Sequence, residues 1–86
     1  MGNVVVLEYK WFSTAKGCIG CVFAFDKILN IYHGYIGIAK GYDEDTDANK
    51  IIDWGCRLTK DETYAMIGSE KARKLINSLE DEQWKY

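Results

Sequence analysis

The sequence predicts an α+β domain: a three-stranded antiparallel meander, then one or two short helices, then a C-terminal helix. Two observations carry this. Apolar residues alternate with a period of two through most of the first half, the mark of half-buried strands. In the second half they recur at three and four residues, the mark of amphipathic helices. Turn segments rich in Gly, Asn and Asp separate these stretches, and the chain has no proline.

The first strand covers residues 3–14. Strict alternation puts Val5, Leu7, Tyr9 and Trp11 on one face and Val4, Val6, Glu8, Lys10 and Phe12 on the other. Residues 13–17 (Ser-Thr-Ala-Lys-Gly) read as a turn. The second strand runs over residues 18–26, with Ile19, Cys21, Phe23 and Phe25 on one face. Residues 26–30 connect it to a third strand over residues 31–39, where Gly34 and Gly37 mark a bulge or a close backbone approach. An acidic segment from Gly41 to Asp47 then opens a helix over about residues 45–54, because carboxylates suit the positive end of a helix dipole. Ala48, Ile51 and Ile52 point inward, and Gly55 is a suitable stop. Thr59 and Glu62 have capping-box spacing. The stretch Tyr64–Ile67 that follows fits a short helix or a strand. The last helix covers residues 69–80, with Ala72, Leu75, Ile76 and Leu79 on one face and Glu70 and Lys74 paired at i,i+4. The tail carries Trp84 and Tyr86.

The chain's 86 residues make a single domain, 1–86. Hydrophobic residues form 48% of it and aromatics 14%, a heavy load for so small a core, which points to a shared interface or a stacking site. The net charge of −2 argues against a DNA-coating protein, which needs a basic surface to neutralise phosphates. It leaves room for capture of one small phosphorylated molecule. The N-terminal segment lacks the basic region of a signal peptide, and no apolar run has the length of a membrane helix. Three cysteines, an odd number, fit free thiols in a reducing cytoplasm, with no membrane contact.

Several motifs suggest chemistry without completing it. Cys18 and Cys21 form a C-x-x-C which, with His33 and Cys56, matches the ligand types of a Cys3His zinc site. The second close pair is missing, and an offset of three puts the two thiols on opposite faces of a strand. They read as small buried hydrophobes, with no metal. Asp43, Asp45, Asp47 and Asn49 imitate the start of an EF-hand loop, but Ala48 stands where the loop needs Gly and Trp54 where it needs Glu. No nucleophile elbow, P-loop or glycine-rich dinucleotide fingerprint is present. The expectation is a binding protein with no catalytic set and no cofactor. Trp11, Phe12, Tyr35, Tyr42 and Trp54 are candidate stacking surfaces for a base. Arg57, beside the Gly55 stop, is the candidate phosphate clamp, with Lys16 and Lys40 next.

Five segments, in order, carry a resemblance: Trp11–Thr14, Gly17–Val22, Tyr35–Gly37, Gly41–Asp47 and Ile51–Gly55. Across roughly residues 11–58 the chain resembles small phage proteins of the anti-Thoeris sponge type. The resemblance implies an anti-defence protein in the host cell cytoplasm. Such a protein binds a cyclic nucleotide second messenger of the cyclic ADP-ribose type, in some members a cyclic oligonucleotide, and holds it uncleaved. It implies a homodimer or larger homo-oligomer with pockets near subunit boundaries. The alternative is a small phage inhibitor whose acidic cluster, Asp43, Glu44, Asp45 and Asp47, mimics nucleic-acid charge and blocks a host nuclease or immune protein.

Overall fold

A computed structural model describes residues 3–40 and 43–85. It is an α+β fold built on a four-stranded antiparallel sheet. Strands β1 (Val4–Thr14), β2 (Gly17–Asp26) and β3 (Ile31–Ala39) form the expected meander. Helix α1 (Glu44–Trp54) follows, then a short strand β4 (Cys56–Leu58), helices α2 (Lys60–Ile67) and α3 (Glu70–Ser78), and a 3-10 turn at Asp81–Gln83. The sheet order is β1-β2-β3-β4.

Local chemistry sets the turns. After β1, Thr14 Oγ1 accepts from the Lys16 amide and donates to the Gly17 carbonyl at 2.7 Å. Gly17 takes a φ of 127°, which a side chain would resist. After β2, Asp26 Oδ1 accepts from the amides of Ile28 and Leu29, both at 3.0 Å, and Asn30 adopts the left-handed region.

β2 is the buried centre: every residue from Gly20 to Ala24 is excluded from solvent. The sheet is covered on both faces. Cys21 and Phe23 pack with Leu58, Ile67, Ala72 and Ile76, so α2 and α3 lie on their side. Val22 and Ala24 pack with Tyr35, Ala39, Ala48 and Ile51, so α1 lies on the other. Of the expected inward residues of α1 and α3, Ala48, Ile51, Ala72, Ile76 and Leu79 are buried and Ile52 and Leu75 half-buried; Asp47, not expected there, is buried as well.

Three features differ from the sequence reading. The alternation of β1 breaks at Leu7: Val6 pairs with Ala24 and Glu8 with Phe23, leaving Leu7 as an extra bulged residue. Val4 therefore packs with Tyr9 on the α1 face, although simple alternation separates them. β4 was not foreseen, because three residues are too few to show a period. Gly55 is extended rather than left-handed (φ −78°, ψ −179°). Space rather than torsion requires glycine there, since a Cβ would sit 2.5 Å from the Ile36 carbonyl oxygen.

The ambiguous stretch at Tyr64–Ile67 is helical. Thr59 Oγ1 accepts from the Glu62 amide and Glu62 Oε1 from the Thr59 amide, completing the capping box. The C-terminal tail docks on its own domain. Trp84 stacks on Phe23 with ring centroids 6.0 Å apart, and the Lys85 amide donates to the Tyr32 carbonyl. Among the described residues no helix is long and apolar enough to cross a membrane.

Candidate functional site

The pairing of β4 with β3 sets Arg57 directly opposite Tyr35. Its guanidinium carbon lies 5.0 Å from the centroid of the Tyr35 ring, a cation–π contact. One of its nitrogens, Nη1, is 2.9 Å from His33 Nδ1. Arginine can only donate, so this contact requires a lone pair on Nδ1 and the imidazole proton on Nε2. The Lys85 carbonyl oxygen lies 3.2 Å from the same Nδ1 and accepts from it only in the opposite tautomer. His33 is fully buried. Burial, above all, holds its pKa below the ordinary histidine value; Arg57 and Lys85 push the same way, while the Lys85 carbonyl and Asp26 oppose them. Burial likewise raises the Tyr35 phenol, against the pull of Arg57. His33 is therefore a neutral acceptor that holds Arg57 in place.

The Arg57 side chain is itself exposed. Among the described residues, the only charge pair within 4.0 Å joins Lys74 to Glu70. Arg57 thus presents an oriented guanidinium with no carboxylate on it, the arrangement that suits an incoming phosphate.

Three residues earlier the chain ends α1 at Trp54, whose side chain is 88% exposed. With Ile36, Gly37, Ile38, Lys50, Ile51, Gly55 and Cys56 it lines a groove of about 420 Å³. Ile38 is 89% exposed. Such a volume suits a small ligand, and an exposed indole with a lysine amine beside it suits a base carrying negative charge. A second groove, about 460 Å³, runs between β1 and α1 and is lined by Glu8, Glu44 and Asp45. That lining repels phosphates.

The structure distributes the candidate residues unevenly. Tyr35 and Arg57 come together, but Tyr35 is only 3% exposed and offers its ring to Arg57 rather than to a base. Trp54 lines the groove. Trp11 sits opposite Gly20 on the α1 face, and Phe12 sits opposite Ile19 on the other, so the two cannot line one site within a single chain. Lys16 is exposed in the β1–β2 turn, and Lys40 is exposed after β3 with its amide donating to Asp47 Oδ2 at 3.1 Å. Tyr42 lies outside the described residues. Sequence reasoning passed over Lys50 and Ile38, and weighed His33 only as a metal ligand or base rather than as a partner of Arg57. Lys50 had a signal, standing one helical turn before Trp54; Ile38 and His33 needed the strand register.

The acidic segment is divided. Asp43 caps α1 by accepting from the Thr46 amide. Asp47 is buried and accepts from the Tyr9 hydroxyl at 3.4 Å. Burial, then the Asp47 charge, pushes the Tyr9 phenol up to about 12. Glu44 and Asp45 remain exposed. Cys18 and Cys21 lie on opposite faces, and Cys56 is exposed on β4. Among the described residues no three His, Cys, Asp or Glu side chains gather in a metal-holding cluster.

No protein-family model matches the chain, and no curated protein or solved structure does.

Proposed function

We propose that this chain binds a cyclic nucleotide second messenger of the cyclic ADP-ribose type and sequesters it uncleaved, as a phage anti-defence protein acting in the host cell cytoplasm. The observation that carries the reading is the exposed Trp54 in its apolar groove with Lys50, followed on the next strand by an oriented Arg57 without a carboxylate partner. The indole stacks the base, and Lys50 and Arg57 meet the phosphates. Storage needs no general acid, base or nucleophile, so copy number and affinity carry the effect. Lys16, Lys40, Tyr42 and the β1 pair Trp11 and Phe12 join the site only from elsewhere on the surface or from another copy in a homo-oligomer.

The test is a thermal-shift and calorimetry panel of cyclic ADP-ribose isomers and cyclic oligonucleotides, with the ligand recovered afterwards and checked for integrity. A bound species at about 100 times its Kd stabilises the fold by roughly 2.7 kcal/mol. Trp54→Ala and Arg57→Ala should each weaken binding, the second by roughly 10–100-fold for loss of a charge-assisted contact. A panel with no shift, or a ligand recovered cleaved, would refute sequestration. The groove lined by Glu8, Glu44 and Asp45 favours a second reading, in which this acidic strip docks on a basic face of a host nuclease or immune protein. Under that reading Glu44→Gln/Asp45→Asn abolishes inhibition of the target and leaves nucleotide binding unchanged.

A further inference from the structure

β1 is the outer strand of the sheet, and no described strand pairs with its free edge. It is 11 residues long, and Val5, Val6, Leu7 and Trp11 along it are all exposed. A long apolar edge is a template for another strand. Two charges of opposite sign, Glu8 and Lys10, flank its midpoint, Tyr9. Both lie on the α3 face, because Glu8 pairs with Phe23 and Lys10 with Cys21. Tyr9 and Trp11 lie on the α1 face, where Tyr9 reaches Asp47.

These facts restrict how β1 can pair with a second copy of itself. Residues directly opposite in an antiparallel pair share a face. A shift by one residue would set α1-face residues against α3-face residues and is excluded. Centring the pair on Glu8 sets two carboxylates opposite each other, and centring it on Lys10 sets two ammonium groups opposite each other. Centring it on Tyr9 sets Glu8 opposite the partner's Lys10, twice by symmetry. That register also uses the whole strand. Beyond the bulged Leu7, Val6 falls opposite the partner's Trp11 on the α1 face and Val5 opposite the partner's Phe12 on the α3 face. The nearest allowed registers repel, the central one attracts, and exposed or half-buried apolar side chains meet on both faces.

We propose that two copies of the chain pair antiparallel through β1, centred on Tyr9, joining their four-stranded sheets into one. A two-fold contact of this kind closes on itself. The far edge is the three-residue β4, continued by the Trp84–Lys85 tail against Tyr32, so little edge remains for further growth. The proposal gives the self-association in the functional reading a surface and places Trp11 and Phe12 in that seam, away from the Trp54 groove; it needs no nucleotide. A monomer would sink it and leave ligand binding standing.

The experiment is sedimentation velocity on the full chain without nucleotide. The wild type is expected as a dimer. Glu8→Lys and Lys10→Glu should each weaken association at least about tenfold, since two attractive cross-strand pairs become repulsive. An equimolar mixture of these two variants should dimerise again, because every pair across the axis regains opposite signs. The Glu8→Lys/Lys10→Glu double variant should also dimerise. Circular dichroism checks that each variant is folded. The Lys10 amine reaches the Gly68 end of α2, so a charge reversal there could unfold the chain. Trp11→Ser, exposed in the monomer, is then the second disrupting variant. A wild type that sediments as a monomer at millimolar concentration overturns the proposal, as does wild-type association in folded Glu8→Lys and Trp11→Ser.

Discussion

Removing Arg57 tests the site from the inside, because the chain has one histidine to report on it. Arg57→Ala deletes a cation–π contact worth about 0.5–1 kcal/mol at an exposed position and a hydrogen bond to His33 worth about 0.5–1.5 kcal/mol. The loss is partly offset. With Arg57 gone, the imidazole proton can move to Nδ1 and donate to the Lys85 carbonyl, 3.2 Å away, regaining about one ordinary hydrogen bond. The net cost is about 1 kcal/mol, or a fall in Tm of about 4–8 °C for a domain of this size. Nitrogen NMR of the imidazole should show the proton on Nε2 in the wild type and on Nδ1 in the variant. The His33 pKa should rise in the variant, because a neighbouring positive charge is gone while the Lys85 carbonyl now stabilises the protonated ring. A wild-type ring already protonated on Nδ1, or a titration that Arg57→Ala leaves unmoved, would refute the coupling and leave Arg57 as an ordinary surface residue.

The same histidine makes stability depend on pH. Its folded pKa is depressed, so the unfolded chain binds the extra proton first. Its contribution is complete above the unfolded value of about 6.5 and declines as pH falls from there through the folded pKa; denaturant midpoints for the wild type and His33→Gln across that range measure it. Gly34 carries no side chain because a Cβ would overlap Thr63 Oγ1, which is fully buried and donates to the Thr59 carbonyl. Gly34→Ala should cost about 1–3 kcal/mol in chemical denaturation, and Thr63→Ala should relieve much of that loss in the double variant. Trp84→Ala should cost about 2–4 kcal/mol by removing the ring stacked on Phe23, whereas Trp84→Phe should cost much less, since the indole nitrogen is buried without a partner. Thiol labelling should be fast at Cys56 and should reach Cys21 only on unfolding, because Cys21 is buried and its thiol is pushed up to about 11 by burial.

Much of what the chain encodes locally was legible in the sequence. The meander followed from period-two alternation over strands long enough to show it, and the turns from Gly17, Asp26 and Asn30. Helices α1 and α3 followed from apolar spacing, and the start of α1 from its acidic entry segment; the side-chain caps Asp43 and Ser69 came from the structure. These depend on neighbours within four residues, where backbone sterics and capping act. The candidate aromatics could be named but not sorted, because burial of Tyr35 and exposure of Trp54 are properties of the packed whole. Tertiary pairing decided the rest. Residues 64–67, open between helix and strand in the sequence, continue the helix whose Thr63 packs against Gly34 of β3. The bulge at Leu7 exists because β1 must match β2, and no glycine marks it. β4 exists because β3 had a free edge for Cys56, Arg57 and Leu58 to join. That pairing, between residues twenty or more apart in sequence, lays Arg57 over Tyr35 and against His33. No local period could encode it, since the energy that holds it comes from groups that meet only when the sheet closes.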